Sequence, residues 1–354
     1  MPAATLKLGA AWMILSATGG AAAVAAVVPP VAPAVLQNKA VPSKKAPQSA
    51  MLAVTRAGPR LVASGERGII LLSDDAGVNW RQANVPVQTS LTALRFTDQQ
   101  RGWAVGHLGT IVHTADGGVS WSLQLDGMRA ARLAADGLSA SGHPPDQKLA
   151  EQFIAEGPDK PFFDVDFSDG LHGYVVGAYN LAFSTGDGGK TWQTLTPRLP
   201  NANSLHLYAV RARGDKVFIV GEQGLVLRSR DGGASFEALP SPYKGSFFGL
   251  LLTRSGTLLA YGLRGSLYRS SNDGADWQAI ATNVGNAIGA AVERDDGSLM
   301  LLTHNGGILV SADDGRSFAP HKTGAAAPVA GVAAAPDGAL VLATLRGLRR
   351  QPTP

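Results

Sequence analysis

The sequence predicts an all-β fold: a seven-bladed β-propeller of four-stranded antiparallel blades, with a short helical insertion between blades two and three. Three observations carry this. A motif of the form Ser/Thr-x-Asp-x-Gly-x-x-Trp/Phe occurs six times, once with Asn in place of Asp. Its closing aromatics stand at 80, 121, 192, 236, 277 and 318, steps of 41, 71, 44, 41 and 41 residues. A Gly-x-x-Gly turn between two apolar runs precedes most copies. A fixed period near forty residues marks a repeat array, and four short strands per period make a propeller blade.

The six copies are Ser73-Asp75-Gly77-Trp80, Thr114-Asp116-Gly118-Trp121, Thr185-Asp187-Gly189-Trp192, Ser229-Asp231-Gly233-Phe236, Ser270-Asn272-Gly274-Trp277 and Ser311-Asp313-Gly315-Phe318. The hydroxyl and the carboxylate can both bond backbone N–H groups inside one tight turn. The glycine takes a conformation that a side chain would penalise. The aromatic starts the next strand and fills the space between sheets. This constellation is the Asp-box, or BNR repeat. Asp75, Asp116, Asp187, Asp231, Asn272 and Asp313 are therefore structural residues without chemistry.

The upstream turns are Gly65-Glu66-Arg67-Gly68, Gly106-His107-Leu108-Gly109, Gly177-Ala178-Tyr179-Asn180, Gly221-Glu222-Gln223-Gly224 and Gly262-Leu263-Arg264-Gly265. Asn180 replaces the last glycine once, and Asn is the next best residue at positive φ. Blades six and seven have Thr303-His304-Asn305-Gly306 and Thr344-Leu345-Arg346-Gly347. Each is a hairpin turn between the second and third strands. Blade starts fall near 50, 91, 161, 206, 246, 286 and 327. The seventh unit ends after three strands, so a strand from within 34–48 is expected to complete it. The propeller occupies 50–351, and 35–49 is a linker or that closing strand.

The one long step leaves room for an insertion at 126–160. Met128 to Leu138 and Asp146 to Ala155 read as two short helices, with Leu149 and Phe153 on one side of the second. In an antiparallel blade the turn from strand two to three and the link to the next blade share one face of the disc. The insertion therefore emerges beside the Gly-x-x-Gly turns, and the Asp-boxes lie opposite. It either covers a blade edge or docks a partner.

That face carries the candidate partner-binding residues: Arg67, Tyr179, Arg264 and Arg346 at turn tips, Tyr243 in a neighbouring loop, and Phe153 in the insertion. A ring containing three arginines suits an acidic peptide or a C-terminal carboxylate.

Residues 1–34 read as an export signal or a membrane anchor. Leu8 to Val28 is apolar or small throughout, and Pro29-Pro30 ends it. A cleaved signal and an uncleaved anchor both fit, because about twenty apolar residues also span a bilayer. The expected location is the periplasm, soluble or tethered to the inner membrane. The chain has no cysteine, which excludes disulfides and lipid attachment through a thiol. Net charge is +4 without a basic run interleaved with aromatics, so nucleic acid is not an expected partner.

Catalytic constellations are sparse. Asp164 and Asp166 in Phe163-Asp164-Val165-Asp166-Phe167 lie on one side of a channel-lining strand. Glu293 lies on another channel-lining strand, with Asp295 and Asp296 nearby. A glycoside hydrolase needs an opposed carboxylate pair, and a sialidase also needs an early Arg-Ile-Pro stretch, which is missing. The seven histidines lack metal-ligand spacing, and His206 at the start of a first strand reads as packed. No cofactor or metal is expected.

The stretch Gly102 to Trp121, Gly-Trp-Ala-Val-Gly-x-x-Gly-Thr-Ile-x-x-Thr-x-Asp-Gly-Gly-x-x-Trp, resembles the photosystem II stability/assembly factor family. The resemblance extends over about 50–350. It implies a seven-bladed, exported, non-enzymatic scaffold, monomeric, that binds a membrane-protein client during assembly. It also implies a client-binding arginine surface, to which Arg67, Arg264 and Arg346 correspond by turn position. The insertion, Thr303 and Thr344 depart from the basic repeat. The chain looks like relatives in non-photosynthetic bacteria, for which an envelope partner such as a transporter is the expected client. The alternative function is an Asp-box glycoside hydrolase of sialidase type.

Overall fold

The computed structural model describes residues 31–142, 144–321 and 328–352. The proposed N-terminal signal or anchor lies almost wholly outside these residues. Seven antiparallel sheets follow one another along the chain, six of four strands and one of three. Their first strands are Met51–Ala57, Leu91–Phe96, Phe162–Phe167, Leu207–Arg213, Phe247–Leu252, Ile288–Glu293 and Val329–Ala334. Each begins within two residues of its expected start. The strands run in sequence order across every blade, from the channel outward.

The blades cohere through apolar clusters at their seams. Second and third strands are buried along nearly their whole length, as in Gly102–Gly106 and Ile70–Ser73. A strand covered on both faces has no use for alternation, which explains these short continuous apolar runs. The closing aromatic of each Asp-box packs toward the preceding blade. Trp121 joins the cluster with Val62 and Leu72 of blade one, and Trp192 the cluster with Trp103 and Ile111 of blade two. Trp80 joins Val341 and Ala343 of blade seven, which closes the ring.

The Asp-boxes are built as their chemistry requires. Ser73 Oγ accepts the Gly77 N–H at 2.8 Å and donates to Asp75 at 2.8 Å. The same carboxylate accepts the Asn79 N–H at 2.9 Å. Gly77 has φ 89°, where a side chain would be strained. Asn272 keeps the acceptor for the Asp276 N–H at 3.0 Å and turns its amide toward the Asp276 carboxylate at 2.9 Å. A neutral amide can replace the carboxylate there because the turn needs an acceptor and not a charge.

The expected closing strand within 34–48 does not form. That arm holds only two short 3-10 turns, Ala34–Leu36 and Ala46–Gln48. Pro33, Pro42 and Pro47 lack the N–H that a ladder needs. The arm is instead stitched to the outer part of blade one, through Ala40 N–H to Val85 O at 3.0 Å and Gln88 N–H to Val35 O at 2.7 Å. Ala46 is buried in the seam between blades one and seven, so the ring closes by side-chain packing. Blade seven keeps its three strands, Val329–Ala334, Leu340–Thr344 and Gly347–Gln351.

Two helices occupy the insertion: α1, Gly127–Ala140, and α2, Pro144–Glu156. Asp126 caps α1 by accepting the Arg129 N–H at 2.9 Å. The base is sewn to the blade-two turn by Gly127 N–H to Leu108 O at 2.8 Å and Gly109 N–H to Lys160 O at 2.9 Å. The insertion thus leaves the disc beside a Gly-x-x-Gly turn, as the topology predicts. Ala130, Ala131, Ala134, Ala135 and Leu138 of α1 are buried in the cluster that joins blades two and three.

Candidate functional site

The Gly-x-x-Gly turns share one backbone. A Cβ on Gly106 would stand 2.0 Å from the carbonyl oxygen of Ser90, so only hydrogen fits where strand two meets the start of strand one. The third residue is left-handed in five blades: Arg67 φ 54°, Leu108 54°, Tyr179 53°, Gln223 51° and Arg264 55°. The fourth is left-handed as well, with Gly68 at 72° and Asn180 at 63°. Glycine is the default residue at positive φ, and a side chain there costs about 1–2 kcal/mol. Five blades carry one at the third position nonetheless. In blades six and seven threonine closes the turn differently, with Thr303 Oγ1 accepting the Gly307 N–H at 2.9 Å and Thr344 Oγ1 accepting the Arg346 N–H at 3.1 Å.

These turns hold Arg67, Arg264 and Arg346 exposed on one face. Among the described residues, no ion pair forms at any of the three. Tyr179 is 50% exposed, and its N–H donates to His206 Nδ1 at 2.9 Å. Lys160, at the end of the insertion, lies 5.4 Å from the Tyr179 ring and pairs with Glu156 and with Asp159 at 2.8 Å. Those two carboxylates raise the Lys160 amine despite its desolvation. Tyr243 is half-buried against Phe247 and Tyr268, with centroids at 5.4 and 5.5 Å, and its hydroxyl donates to Leu263 O at 3.3 Å.

Phe153 corrects an expectation. It is 1% exposed, inside the cluster under α1, and presents nothing to a partner. The small side chains of α1 leave a space that only a large residue of α2 can fill. The arginines and Tyr179 remain on the rim, and Tyr243 supports it from below.

Inside the rim the first strands line a channel cavity of about 420 Å³. The register slips by one residue near the start of strand one in every blade. The extra residues are Leu52, Thr92, Phe163, Tyr208, Phe248, Gly289 and Ala330, and all seven line the cavity. Reading the sequence by strict alternation misses this ring. Its signal is the second residue of each first strand, recurring at the blade period.

Deeper in the channel every acid is engaged. Asp164 accepts the Val210 N–H at 3.0 Å and pairs with Arg211 at 2.5 Å. Asp166 accepts the Ala212 N–H at 2.9 Å and pairs with Arg95 at 2.7 Å. Both reach toward blade four, and Asp166 also reaches Arg95 of blade two, so together they fasten three blades and do not oppose one another across a substrate. Burial pushes the Asp164 carboxyl up against the pull of Arg211. Glu293 pairs with Arg254 at 2.9 Å and Asp295 with Arg56 at 2.9 Å. Among the described residues no group of three or more His, Asp or Glu could hold a metal.

Known proteins echo this architecture. A solved structure of YCF48 bound to D1 peptide aligns with 92% of this chain and all of that one, at a TM-score of 0.63 and 16% identity. The GH74 enzyme of Niastella koreensis aligns with 85% of this chain and 52% of that one, at a TM-score of 0.61 and 12% identity. At such identities both likenesses show the fold alone. The photosystem II assembly lipoprotein Ycf48 of Synechococcus sp. (strain CC9902) is 34% identical over 76 residues, 22% of this chain. That match spans 23% of the relative's length. The family described as photosynthesis system II assembly factor YCF48 matches residues 65–136 and 152–348, covering every Asp-box. The chain belongs to that family of seven-bladed Asp-box propellers.

Proposed function

We propose that this protein is a non-catalytic, exported scaffold that holds an extended segment of a membrane-protein client during assembly of its complex. The carrying observation is the rim: Arg67, Arg264 and Arg346 stand exposed, without acidic partners among the described residues, on turns whose backbone is fixed. Arginine in that state favours a carboxylate-bearing ligand, bound in bidentate fashion. The client is the D1 subunit of photosystem II or a protein of the same kind, since a YCF48 of this fold has been solved with a D1 peptide. The envelope-transporter client expected from the sequence has no comparable support. Binding without catalysis agrees with channel acids that are all tied to arginines.

Among the described residues no helix is long and apolar enough to cross a membrane. In this reading residues 1–34 export the protein, tethering it to the membrane if they are retained as an anchor and releasing it if they are cleaved as a signal, and it acts as a monomer on the exported side. A lipid anchor on cysteine has no attachment point in this sequence.

The test is capture of the client from gently solubilised host membranes, by the intact protein and by a triple Arg67→Glu, Arg264→Glu, Arg346→Glu variant. A single membrane protein held by the first and lost by the second is the expected outcome. Equal capture by both, or none by the intact protein, overturns the proposal. Charge reversal on exposed tips is preferred to deletion of 126–160, because Lys160 packs on Tyr179 and its loss would disturb the rim.

A further inference from the structure

The seven bulge positions around the channel mouth are filled unequally. Blades three, four and five carry Phe163, Tyr208 and Phe248, whereas blades two, six and seven carry Thr92, Gly289 and Ala330. A bulge turns one side chain out of the ladder's alternation and re-aims it. Here it aims three aromatics into one side of the mouth, while the other side carries Leu52 of blade one among small side chains.

The rings touch in series. Phe163 stacks on Tyr208 with centroids 5.3 Å apart, and Tyr208 meets Phe248 edge-on at 5.6 Å. His304 of the blade-six turn stacks beyond Phe248 at 6.1 Å. At the other end His206 lies 6.1 Å from Phe163 and 4.6 Å from Tyr179. All three bulge aromatics are half-buried, so each keeps an open flank toward the cavity. The cavity of about 420 Å³ is of the size that holds one or two side chains or a small ligand.

Charge around this crescent is one-sided. At the turns, Glu222 accepts the His206 N–H at 2.8 Å and lies against the Tyr208 hydroxyl, and Glu66 accepts the Ala50 N–H at 3.2 Å, so both acids are already engaged. Arg67, Arg264 and Arg346 have no such engagement. Arg264 stands two residues from Gly262, which pairs with Phe247, the neighbour of Phe248. Exposed Leu263 and Leu345 adjoin two of the arginines.

We propose that the crescent of Phe163, Tyr208 and Phe248 is a pocket for one aromatic side chain of an extended peptide, with Arg264 reading an acidic residue beside it. This rests on the client-binding reading above and specifies what the client presents. Edge-to-face contact with a guest ring extends the series already present. Desolvated aromatic and arginine side chains are the usual energetic hot spots of an interface. A neutral glycan would stack on the rings but would leave the arginine arc without a counter-charge.

The purified full chain is titrated into three rhodamine-labelled pentapeptides, and anisotropy is read. The probe is Ser-Asp-Phe-Asp-Ser, with Ser-Asp-Ala-Asp-Ser and Ser-Asn-Phe-Asn-Ser as controls. The first is expected to bind at least about tenfold tighter than either control. Phe248→Ala should erase the preference for Phe, and Arg264→Glu the preference for Asp. Ala330→Phe, which fills the other side of the mouth and removes no packing, should block all binding even if Phe248→Ala perturbs the fold. Equal binding of all three peptides, no binding of the first at millimolar concentration, or indifference to Phe248→Ala and Ala330→Phe would each sink the proposal. So would displacement of the peptide by a xyloglucan oligosaccharide that binds more tightly. Client capture that depends on the arginines but survives Ala330→Phe would remove the crescent and leave the scaffold reading standing.

Discussion

The two faces of the disc carry turns of opposite character. On one face the Asp-boxes repeat almost residue for residue, and each satisfies itself internally. Hydroxyl, carboxylate and glycine N–H close a local network, and the aromatic is spent on the seam with the preceding blade. On the other face the Gly-x-x-Gly turns repeat in backbone only. Their third residue is Arg, Leu, Tyr, Gln and Arg in blades one to five, at nearly one value of φ. The repeat therefore does two jobs. Where every side chain is used for structure, sequence is uniform. Where the backbone alone is specified, side chains vary, and a variable residue on a fixed backbone is what recognition needs.

Backbone constraint predicts the largest effect. Gly106→Val places a Cβ 2.0 Å from the Ser90 carbonyl oxygen, with neither strand free to retreat. A loss of about 4 kcal/mol or more is expected in urea unfolding, the range reserved for severe steric or packing lesions. Gly214→Ala, at φ 55° with nothing within 4 Å of the new Cβ, should cost about 1 kcal/mol. Equal costs would mean that the turn glycine serves only its own conformation.

The Asp-box face should respond more mildly. Ser73→Ala strips the buried Gly77 N–H of its acceptor, and an unmet buried donor costs about 1–3 kcal/mol. Acid should report on the carboxylates. Hydrogen bonds from the Thr191 hydroxyl and N–H hold the Asp187 carboxyl at about 2, below its ordinary 3.8. A depressed folded-state pKa means that the unfolded chain binds the proton more readily. The contribution is therefore fully present above pH 4 and lost as pH falls toward 2. Asp187→Asn, which copies what Asn272 does in blade five, should flatten the dependence of the urea midpoint on pH across that window. An unchanged slope would place the acid sensitivity elsewhere.

Most of the architecture was legible because the repeat is dense in residues with one physical use. Glycine before a box, an aromatic after it and a forty-residue period leave few alternatives, and Asn180 at positive φ follows the same logic. The misses have separate causes. The topological need for a fourth partner argues for a strand or a linker within 34–48, and Pro42 and Pro47 inside that arm, with Pro33 just before it, tell against the strand. Helical periodicity identifies the apolar side of α2 that carries Phe153 without saying what covers it. Phe163, Tyr208 and Phe248 escaped because a bulge breaks the alternation by which a strand's two sides are told apart. Periodicity between blades, and not within a strand, is the signal that finds them.

The smallest expected effect discriminates best between the faces. Arg264 sits at φ 55°, where glycine would rest without strain. Arg264→Gly should therefore recover part of the roughly 1–2 kcal/mol left-handed penalty. The extra freedom of glycine in the unfolded chain, about 0.5–1 kcal/mol, takes some of that back. A net gain near 0.5 kcal/mol in urea unfolding is expected, with weaker capture of the client in the same variant. Ala76, Asp273 and Asp314 hold the same left-handed conformation inside Asp-boxes, so Ala76→Gly should also recover stability but leave capture of the client unchanged. A gain in stability together with a loss of binding would mean that the arginine is kept for its ligand at the expense of the fold. A loss of stability would mean that Arg264 holds the rim together, and the contrast between the two faces would fail at the position where it is drawn most sharply.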